Sequence, residues 1–160
     1  MWSASEDKTI KQWNYKGNCL NTLQEHTGRV WFLFVWKDML HSASSDWTIR
    51  VWNYKGKFVN ILRRHTDWVT CLTSWNNFLI SGSHDKTVRV WNDNGECVTQ
   101  WNTGSQVNVV TSWNGQLCTG HEDGLIKVWS DFNQLSRTLN GHTGWISCLV
   151  VHEDYLFSGT

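Results

Sequence analysis

The sequence lacks proline altogether, and it also lacks a net charge and any long hydrophobic run. Its 160 residues include 14 Lys and Arg against 14 Asp and Glu, so the formal charge is zero. That balance implies no attraction of the whole chain to nucleic acid or to an anionic membrane surface. The longest apolar run, Val30–Trp36, is far shorter than the roughly 20 residues of a membrane-spanning helix. No basic segment followed by an apolar one opens the chain, so no secretory signal peptide is predicted.

Close cysteine pairs and glycosylation sequons are absent as well. Metal and disulfide frameworks use closely spaced cysteines, so neither is predicted, and no cofactor is expected because the sequence has no glycine-rich phosphate loop. The seven histidines form no H-x-H or H-E-x-x-H motif, which argues against a zinc site. We expect a reducing intracellular compartment, cytoplasmic or nuclear, with the thiols as small core hydrophobes. The five cysteines are Cys19, Cys71, Cys97, Cys118 and Cys148.

Tryptophan is abundant instead, with 13 residues in the chain, and an internal repeat accounts for many of them. Four segments align without gaps, and their closing tryptophans are spaced 39, 39 and 38 residues apart. These segments are Ser3–Trp13, Ser42–Trp52, Ser81–Trp91 and Thr119–Trp129. A second sequence motif, His-Thr-Gly/Asp-x-Val/Ile, begins at His26, His65 and His142. At the remaining expected position, Thr103 stands where histidine should be.

Each repeat predicts four short β-strands joined by tight turns. Residues 87–91 alternate with a period of two, and Asn76-Asn77 is a turn signal between two apolar runs. No stretch shows the 3.6-residue period of an amphipathic helix. Strands of this length cannot bury a core alone, so sheets of neighbouring repeats must stack on one another. Three tryptophans that end the first strand of a repeat are expected to pack between sheets: Trp36, Trp75 and Trp113.

The pattern Ser-Gly-Ser-x-Asp-x-Thr-Val-x-Val-Trp with an upstream histidine resembles the WD40-repeat β-propeller family. The resemblance covers essentially the whole chain, and it implies a WD40 repeat array over residues 1–160. The implied fold is all-β, with about four blades of four-stranded antiparallel sheets, as a partial ring or half of an eight-bladed ring. Residues 1–25 and 142–160 would be terminal part-blades. The repeats would end near Trp13, Trp52, Trp91 and Trp129.

The resemblance also implies a buried tetrad in each blade, in which an indole N–H, a Ser or Thr hydroxyl, a histidine and an aspartate bond in series. A catalytic triad would occur once and face a cleft, whereas this set recurs, so we interpret it as structural. The complete sets are His26, Ser42, Asp46 and Trp52, and His65, Ser81, Asp85 and Trp91. The incomplete sets are Ser3, Asp7 and Trp13; Thr119, Asp123 and Trp129, where Thr103 is expected to leave one link unmade; and His142 with Ser158.

In WD40 proteins, the residues that flank the first Val of the innermost strand, and the residue before the turn Asp, line the ligand-binding top face. The resemblance therefore implies a non-catalytic scaffold for protein or peptide partners, since Trp and Arg commonly anchor interfaces. The alternatives are a lectin-like or RNA-binding propeller that uses the same tryptophans, or a rim that binds nothing. The matching residues are Arg29, Trp31, Trp68, Thr70, Gln106, Asn108, Trp145 and Ser147, with Glu6, Ser45, His84 and Glu122 from the turns.

Four blades are fewer than the family usually closes into a ring, and three arrangements remain open. The chain is a fragment of a longer propeller, two copies close head to tail into an eight-bladed ring, or one chain closes a four-bladed ring. Residues 1–80 carry a formal charge of +4 and residues 81–160 carry −4, which favours head-to-tail pairing. Light scattering distinguishes the three arrangements, as aggregation, a dimer and a soluble monomer respectively.

The tetrads generate a stability prediction. Asp85→Ala should lower the free energy of unfolding by about 1–3 kcal/mol, because His65 and Ser81 lose hydrogen-bonding capacity in the core. Asp123→Ala should cost less, since Thr103 already interrupts that set. Urea denaturation of both variants measures the difference, and equal losses would contradict the structural assignment of the tetrads.

Overall fold

A computed structural model describes residues 1–160 and contains seventeen β-strands and no helix. All strand pairs with a defined register are antiparallel, and strands that are consecutive in sequence lie side by side within each sheet. The expected all-β fold is therefore confirmed. The chain has no helix with the length and apolarity that a membrane span requires.

The strands form five sheets, and their bounds follow in chain order. The first sheet contains β1 (Trp2–Ala4), β2 (Ile10–Trp13) and β3 (Cys19–Leu23). The second contains β4 (Val30–Trp36), β5 (Met39–Ser44), β6 (Thr48–Trp52) and β7 (Phe58–Arg63). The third contains β8 (Val69–Trp75), β9 (Phe78–Ser83), β10 (Thr87–Trp91) and β11 (Cys97–Asn102). The fourth contains β12 (Val107–Trp113), β13 (Gln116–His121), β14 (Ile126–Asp131) and β15 (Gln134–Leu139), and the fifth β16 (Cys148–His152) and β17 (Tyr155–Gly159).

Two-residue turns join the first two strands of the complete sheets. Both central residues have positive φ, as at Asn76 (49°) and Asn77 (64°), and at Asn114 (47°) and Gly115 (74°). Such turns match the right-handed twist of antiparallel strands, and asparagine and glycine tolerate the left-handed backbone best. The turn signal in the sequence thus has a direct structural counterpart.

The chain divides into two compact units, Met1–Val69 and Thr70–Thr160. In the first unit the first and second sheets stack, with Leu33 of β4 packed against a core that includes Ile10 of β2 and Trp52 of β6. Trp2 and Ala4 of β1 border the same core. Stacking is necessary because each short sheet leaves its apolar face bare until a neighbouring sheet covers it.

The second unit has two such cores. Between the third and fourth sheets, Trp101 and Trp129 lie with ring centroids 5.5 Å apart and Phe132 packs beside them. Between the fourth and fifth sheets, Ile146 packs with Cys118 and Leu149. The indole nitrogens of two strand-ending tryptophans bond across these junctions, Trp75 to the Gly115 carbonyl (2.7 Å) and Trp113 to the Asp154 carbonyl (3.0 Å). The expected packing of these two residues between sheets is confirmed.

Close packing at Gly120 of β13 generates a prediction. A Cβ atom there would lie 2.5 Å from Ile146 Cγ2 and 2.7 Å from Val109 Cγ1. Gly120→Ala should therefore lower the free energy of unfolding by about 1–3 kcal/mol through overpacking. Gly141→Ala is the matched control, because a Cβ there meets nothing within 4 Å. Urea denaturation of both variants should show a loss at position 120 only, and a stable Gly120→Ala variant would contradict this packing.

Candidate functional site

The complete tetrad of the second sheet forms as the family pattern implies. Trp52 Nε1 of β6 donates to Ser42 Oγ of β5 over 2.9 Å, and that oxygen lies 2.7 Å from Nε2 of His26. The other imidazole nitrogen lies 2.7 Å from Asp46 Oδ2. Burial alone would raise the pKa of Asp46, but hydrogen bonds from His26 and Thr48 outweigh it and hold the pKa well below its usual value. These groups hold the loop before β4 against the turn between β5 and β6.

The indole-to-hydroxyl bond recurs in three other sheets. Trp13 Nε1 donates to Ser3 Oγ and Trp91 Nε1 to Ser81 Oγ, each over 2.8 Å, and Trp129 Nε1 donates to Thr119 Oγ1 over 3.0 Å. In the fifth sheet, His142 Nε2 lies 2.7 Å from Ser158 Oγ. Asp85 Oδ1 accepts from the backbone (2.9 Å) and hydroxyl (2.6 Å) of Thr87, and His65 is buried. The indole-to-hydroxyl bond is thus present in four of the five sheets, and its recurrence favours a structural role over a catalytic one.

The prediction that the fourth sheet lacks its imidazole link is wrong. His121, two residues after Thr119 on β13, has Nε2 2.7 Å from Thr119 Oγ1 and so supplies the ring that Thr103 cannot. Its Nδ1 lies 3.4 Å from the Ser105 carbonyl. Thr103 is itself buried, with its hydroxyl 2.9 Å from the same carbonyl. The sequence signal was available, because the one repeat without a loop histidine carries a histidine where the others have serine.

Two aspartates assigned to tetrads lie outside any such network. Asp123 is exposed, and its Oδ1 accepts only from the Leu125 backbone, over 3.1 Å. Asp7 is exposed as well and accepts from the backbone and hydroxyl of Thr9. Both residues therefore cap turns. Asp123→Ala is still expected to lower the free energy of unfolding less than Asp85→Ala. The reason is that Asp123 is exposed, and not that a histidine is missing.

Glu6, Arg29, Trp31 and Trp68 form a continuous row on the first unit, which we call the first rim. Glu6 Oε1 pairs with Arg29 Nη2, and the Arg29 guanidinium lies 4.6 Å from the ring centroid of Trp31. The rings of Trp31 and Trp68 are 5.6 Å apart and tilted by 33°. Carboxylate, guanidinium and two indoles thus follow one another on the surface. Sequence reasoning selected all four residues, but the contacts among them come from the structure.

A β-bulge explains why Trp31 faces outward. The register of β4 with β5 shifts between Val30 and Phe32, so Trp31 is the extra residue and has no partner across the ladder. A bulge redirects the side chain that it carries. Asn108 occupies the same position in the fourth sheet, where the register shifts between Val107 and Val109.

The second unit carries a separate group of predicted top-face residues, which we call the second rim. Trp145 and Glu122 are exposed, and Gln106, Asn108 and His84 are half-buried. The exposed fractions of Trp31, Trp68 and Trp145 are 38%, 41% and 63%. Each of these indoles adjoins a buried aliphatic residue, respectively Val30, Val69 and Ile146. A large apolar ring therefore projects from a fixed backbone at each of the three positions.

Three predicted top-face hydroxyls have internal partners, and their assignment as ligand contacts stays a prediction. Thr70 Oγ1 donates to the Val107 carbonyl over 2.6 Å. Ser147 Oγ lies 3.2 Å from the Gly159 carbonyl, and Ser45 Oγ lies 3.4 Å from that of Arg29. These hydroxyls bond to the backbone, so we omit the three residues from the two rims.

Comparison with known families identifies the repeat. A family model described as "WD domain, G-beta repeat" matches residues 17–53, 56–92, 95–130 and 133–160. The chain belongs to this WD40 family. WD40 repeats generally serve as non-catalytic scaffolds for protein interaction. A search of curated proteins gave no significant match. The buried tetrads and the two rims are thus features of a WD40 chain, and no group of three or more His, Cys, Asp or Glu side chains could hold a metal ion.

Buried histidine gives this WD40 chain a predicted pH dependence. Burial lowers the pKa of His121 from 6.5 to about 4, because the interior disfavours the imidazolium. Between these values the unfolded chain binds more protons than the folded chain, so stability falls as pH drops below 6.5. At pH 5 the loss from this group is about 2 kcal/mol.

His121→Gln should reduce the difference in unfolding free energy between pH 7 and pH 5. Urea denaturation at the two pH values measures it, with His152→Gln, at an exposed position, as the control. Burial lowers the pKa of His41 to about 4 as well, so part of the wild-type dependence should persist in the His121 variant. An unchanged difference in that variant would contradict the neutral, buried state of His121.

Proposed function

We propose that this chain is a non-catalytic interaction platform that uses its rim tryptophans to bind a peptide or protein partner. The observation that supports it most is the exposure of three indoles beside buried aliphatic anchors. Exposed tryptophan on a rigid backbone is typical of binding hot spots, where a large ring becomes buried at little cost in conformational entropy. The five cysteines are unpaired in the structure, which accords with the intracellular location that we also propose.

The first rim has the composition of an interface anchor. Trp31 and Trp68 offer joined apolar surface, and Arg29 is held over one of the rings. Arginine and tryptophan are the residue types in which interface energy concentrates. Because Glu6 already neutralises Arg29, the guanidinium offers directional hydrogen bonds more than net charge.

Charge makes nucleic acid the weaker candidate for both rims. RNA recognition combines aromatic stacking with cations for the phosphates. In the first rim, the cation is Arg29, and it is paired with Glu6. In the second rim, Glu122 is present and no Lys or Arg lies over the ring of Trp145. Phosphates would therefore meet a carboxylate at each rim. The binding experiment described below also tests whether the same indoles bind glycans.

Self-association is a second proposed interaction of the chain. The two compact units differ in formal charge, at +4 for residues 1–69 and −4 for residues 70–160. Opposite charges on two units favour head-to-tail contact between copies. The light-scattering measurement above tests it independently of the rims.

The platform proposal predicts a separation between binding and stability. Peptides selected from a phage-displayed library of random linear peptides should bind Trp68→Ala or Trp145→Ala at least about tenfold more weakly than wild type. The free energy of unfolding should change by no more than about 0.5 kcal/mol, because both rings are exposed at the surface and belong to no buried core. Trp52→Ala, which removes a tetrad indole, should instead destabilise the fold by about 3–5 kcal/mol.

Peptide binding by fluorescence polarisation and urea denaturation provide the two measurements. Single-stranded RNA and a glycan array serve as comparison ligands. Undiminished peptide binding by both rim variants, or selective binding of RNA or glycans, would overturn the platform proposal.

A further inference from the structure

We propose that the second rim binds an arginine side chain of a basic partner, held between the carboxylate of Glu122 and the indole of Trp145. This inference rests on the proposed function and specifies the chemistry of the partner at one position. It goes beyond a general interaction surface because it states which charge the partner must carry there.

The first rim contains an internal example of a guanidinium bound by a carboxylate and an indole, although its indole follows the buried aliphatic residue whereas Trp145 precedes it. The backbone N–H of Val30 donates to the Ser5 carbonyl over 3.1 Å, so the peptide units 29–30 and 5–6 face each other. At these facing positions Glu6 pairs with Arg29, whose guanidinium also covers the ring of Trp31. A guanidinium is therefore bound between a carboxylate and an indole within the chain itself.

The second rim repeats this backbone relation with a different side chain. The N–H of Ile146 donates to the His121 carbonyl over 2.9 Å, so the peptide units 145–146 and 121–122 face each other. Glu122 thus corresponds to Glu6, and Trp145 corresponds to Arg29. Because Arg29 and Glu6 touch, side chains at these two positions are within reach of one another. The second rim thus has the carboxylate and an indole but no guanidinium.

No cation of the second unit occupies this place. The unit has four Lys and Arg residues, and none lies over the ring of Trp145. Arg137 lies over Trp113 at 5.3 Å, Lys127 donates to the Thr103 carbonyl, and Arg89 Nη1 lies 4.0 Å from Cys97 Sγ. The ring of Trp145 therefore has no guanidinium or ammonium group over it, and a partner can supply one.

Exposure and charge favour a basic partner over an acidic one. Trp145 is the most exposed tryptophan of the chain, and Glu122 is exposed as well. The second unit carries a formal charge of −4, which attracts a basic peptide and repels an acidic one. Guanidinium binds well to both groups, since it forms ion pairs with carboxylates and stacks on aromatic faces.

The backbone that carries these two residues is closely packed, so the site is preorganised. Gly124 has a φ of 80°, and a Cβ there would lie 2.9 Å from the Gly144 carbonyl. Ile146 is fully buried against Gly120. The loop before Trp145 and the turn after Glu122 thus lie in direct contact, which reduces the ordering needed when a ligand binds.

Three labelled Gly-Ser peptides test the proposal on the full chain, with interspersed Arg, Gln or Glu residues. Fluorescence polarisation should show that the Arg peptide binds most tightly and weakens as salt is raised. Trp145→Ala and Glu122→Gln should each weaken it about two- to fivefold. Glu153→Gln is the matched control, since it removes the same charge at an exposed turn between β16 and β17 and should leave binding unchanged.

The outcomes separate this inference from the proposed function. Equal effects of Glu122→Gln and Glu153→Gln, a preference for the Glu or Gln peptide, or no binding of the Arg peptide would overturn the arginine site. If the library-selected peptides still depended on Trp68 and Trp145, the platform would stand without it. If the selected peptides responded to neither Trp68→Ala nor Trp145→Ala, and the Arg peptide did not respond to Trp145→Ala, both proposals would fail.

Discussion

The indole-to-hydroxyl hydrogen bond between the second and third strand of a repeat is the interaction on which the rest of the structure depends. It joins Trp13 to Ser3, Trp52 to Ser42, Trp91 to Ser81 and Trp129 to Thr119, over 2.8–3.0 Å. A buried indole N–H without a partner is costly, so in the second, third and fourth sheets this bond helps to bury Trp52, Trp91 and Trp129. Where the hydroxyl also contacts a histidine from the loop before the first strand, as Ser42 contacts His26, that loop is held as well.

The rims gain their rigidity from that loop attachment. In the second sheet, His26 and Asp46 fix the segment that ends in Arg29 and Trp31, so two exposed side chains stand on a buried polar network. Repetition supplies the same frame to each repeat while the rim residues differ. Arg29 and Trp145 occupy equivalent places with opposite chemistry, which lets one fold present a self-paired guanidinium on one unit and a solvent-exposed indole on the other.

The fourth sheet retains the imidazole contact of the tetrad from a different position, but it does not retain the carboxylate. Histidine is absent from the loop at Thr103, yet His121 places an imidazole 2.7 Å from Thr119. The replacement comes from the strand itself, where other repeats have serine. The loop is held differently as well, since Thr103 bonds through its own backbone and hydroxyl to the Lys86 carbonyl.

The resemblance to the WD40 family implied the exposure of Trp31, Trp68 and Trp145, whereas the sequence by itself determined the repeat, its strands and its turns. These features depend on local period and on residues at fixed spacing, which a single chain displays. Only the tertiary structure decided which polar groups meet. His121 contacts Thr119 in place of a loop histidine, and Asp7 and Asp123 bond within their own turns. Thr70 donates to the Val107 carbonyl, and Arg29 contacts both Glu6 and Trp31. Thr70 and Val107 are distant in the chain, as are Arg29 and Glu6, so spacing alone does not reveal their contacts. His121, Asp7 and Asp123 bond to residues two positions away, and spacing alone does not decide whether such a local bond or a bond to another loop forms.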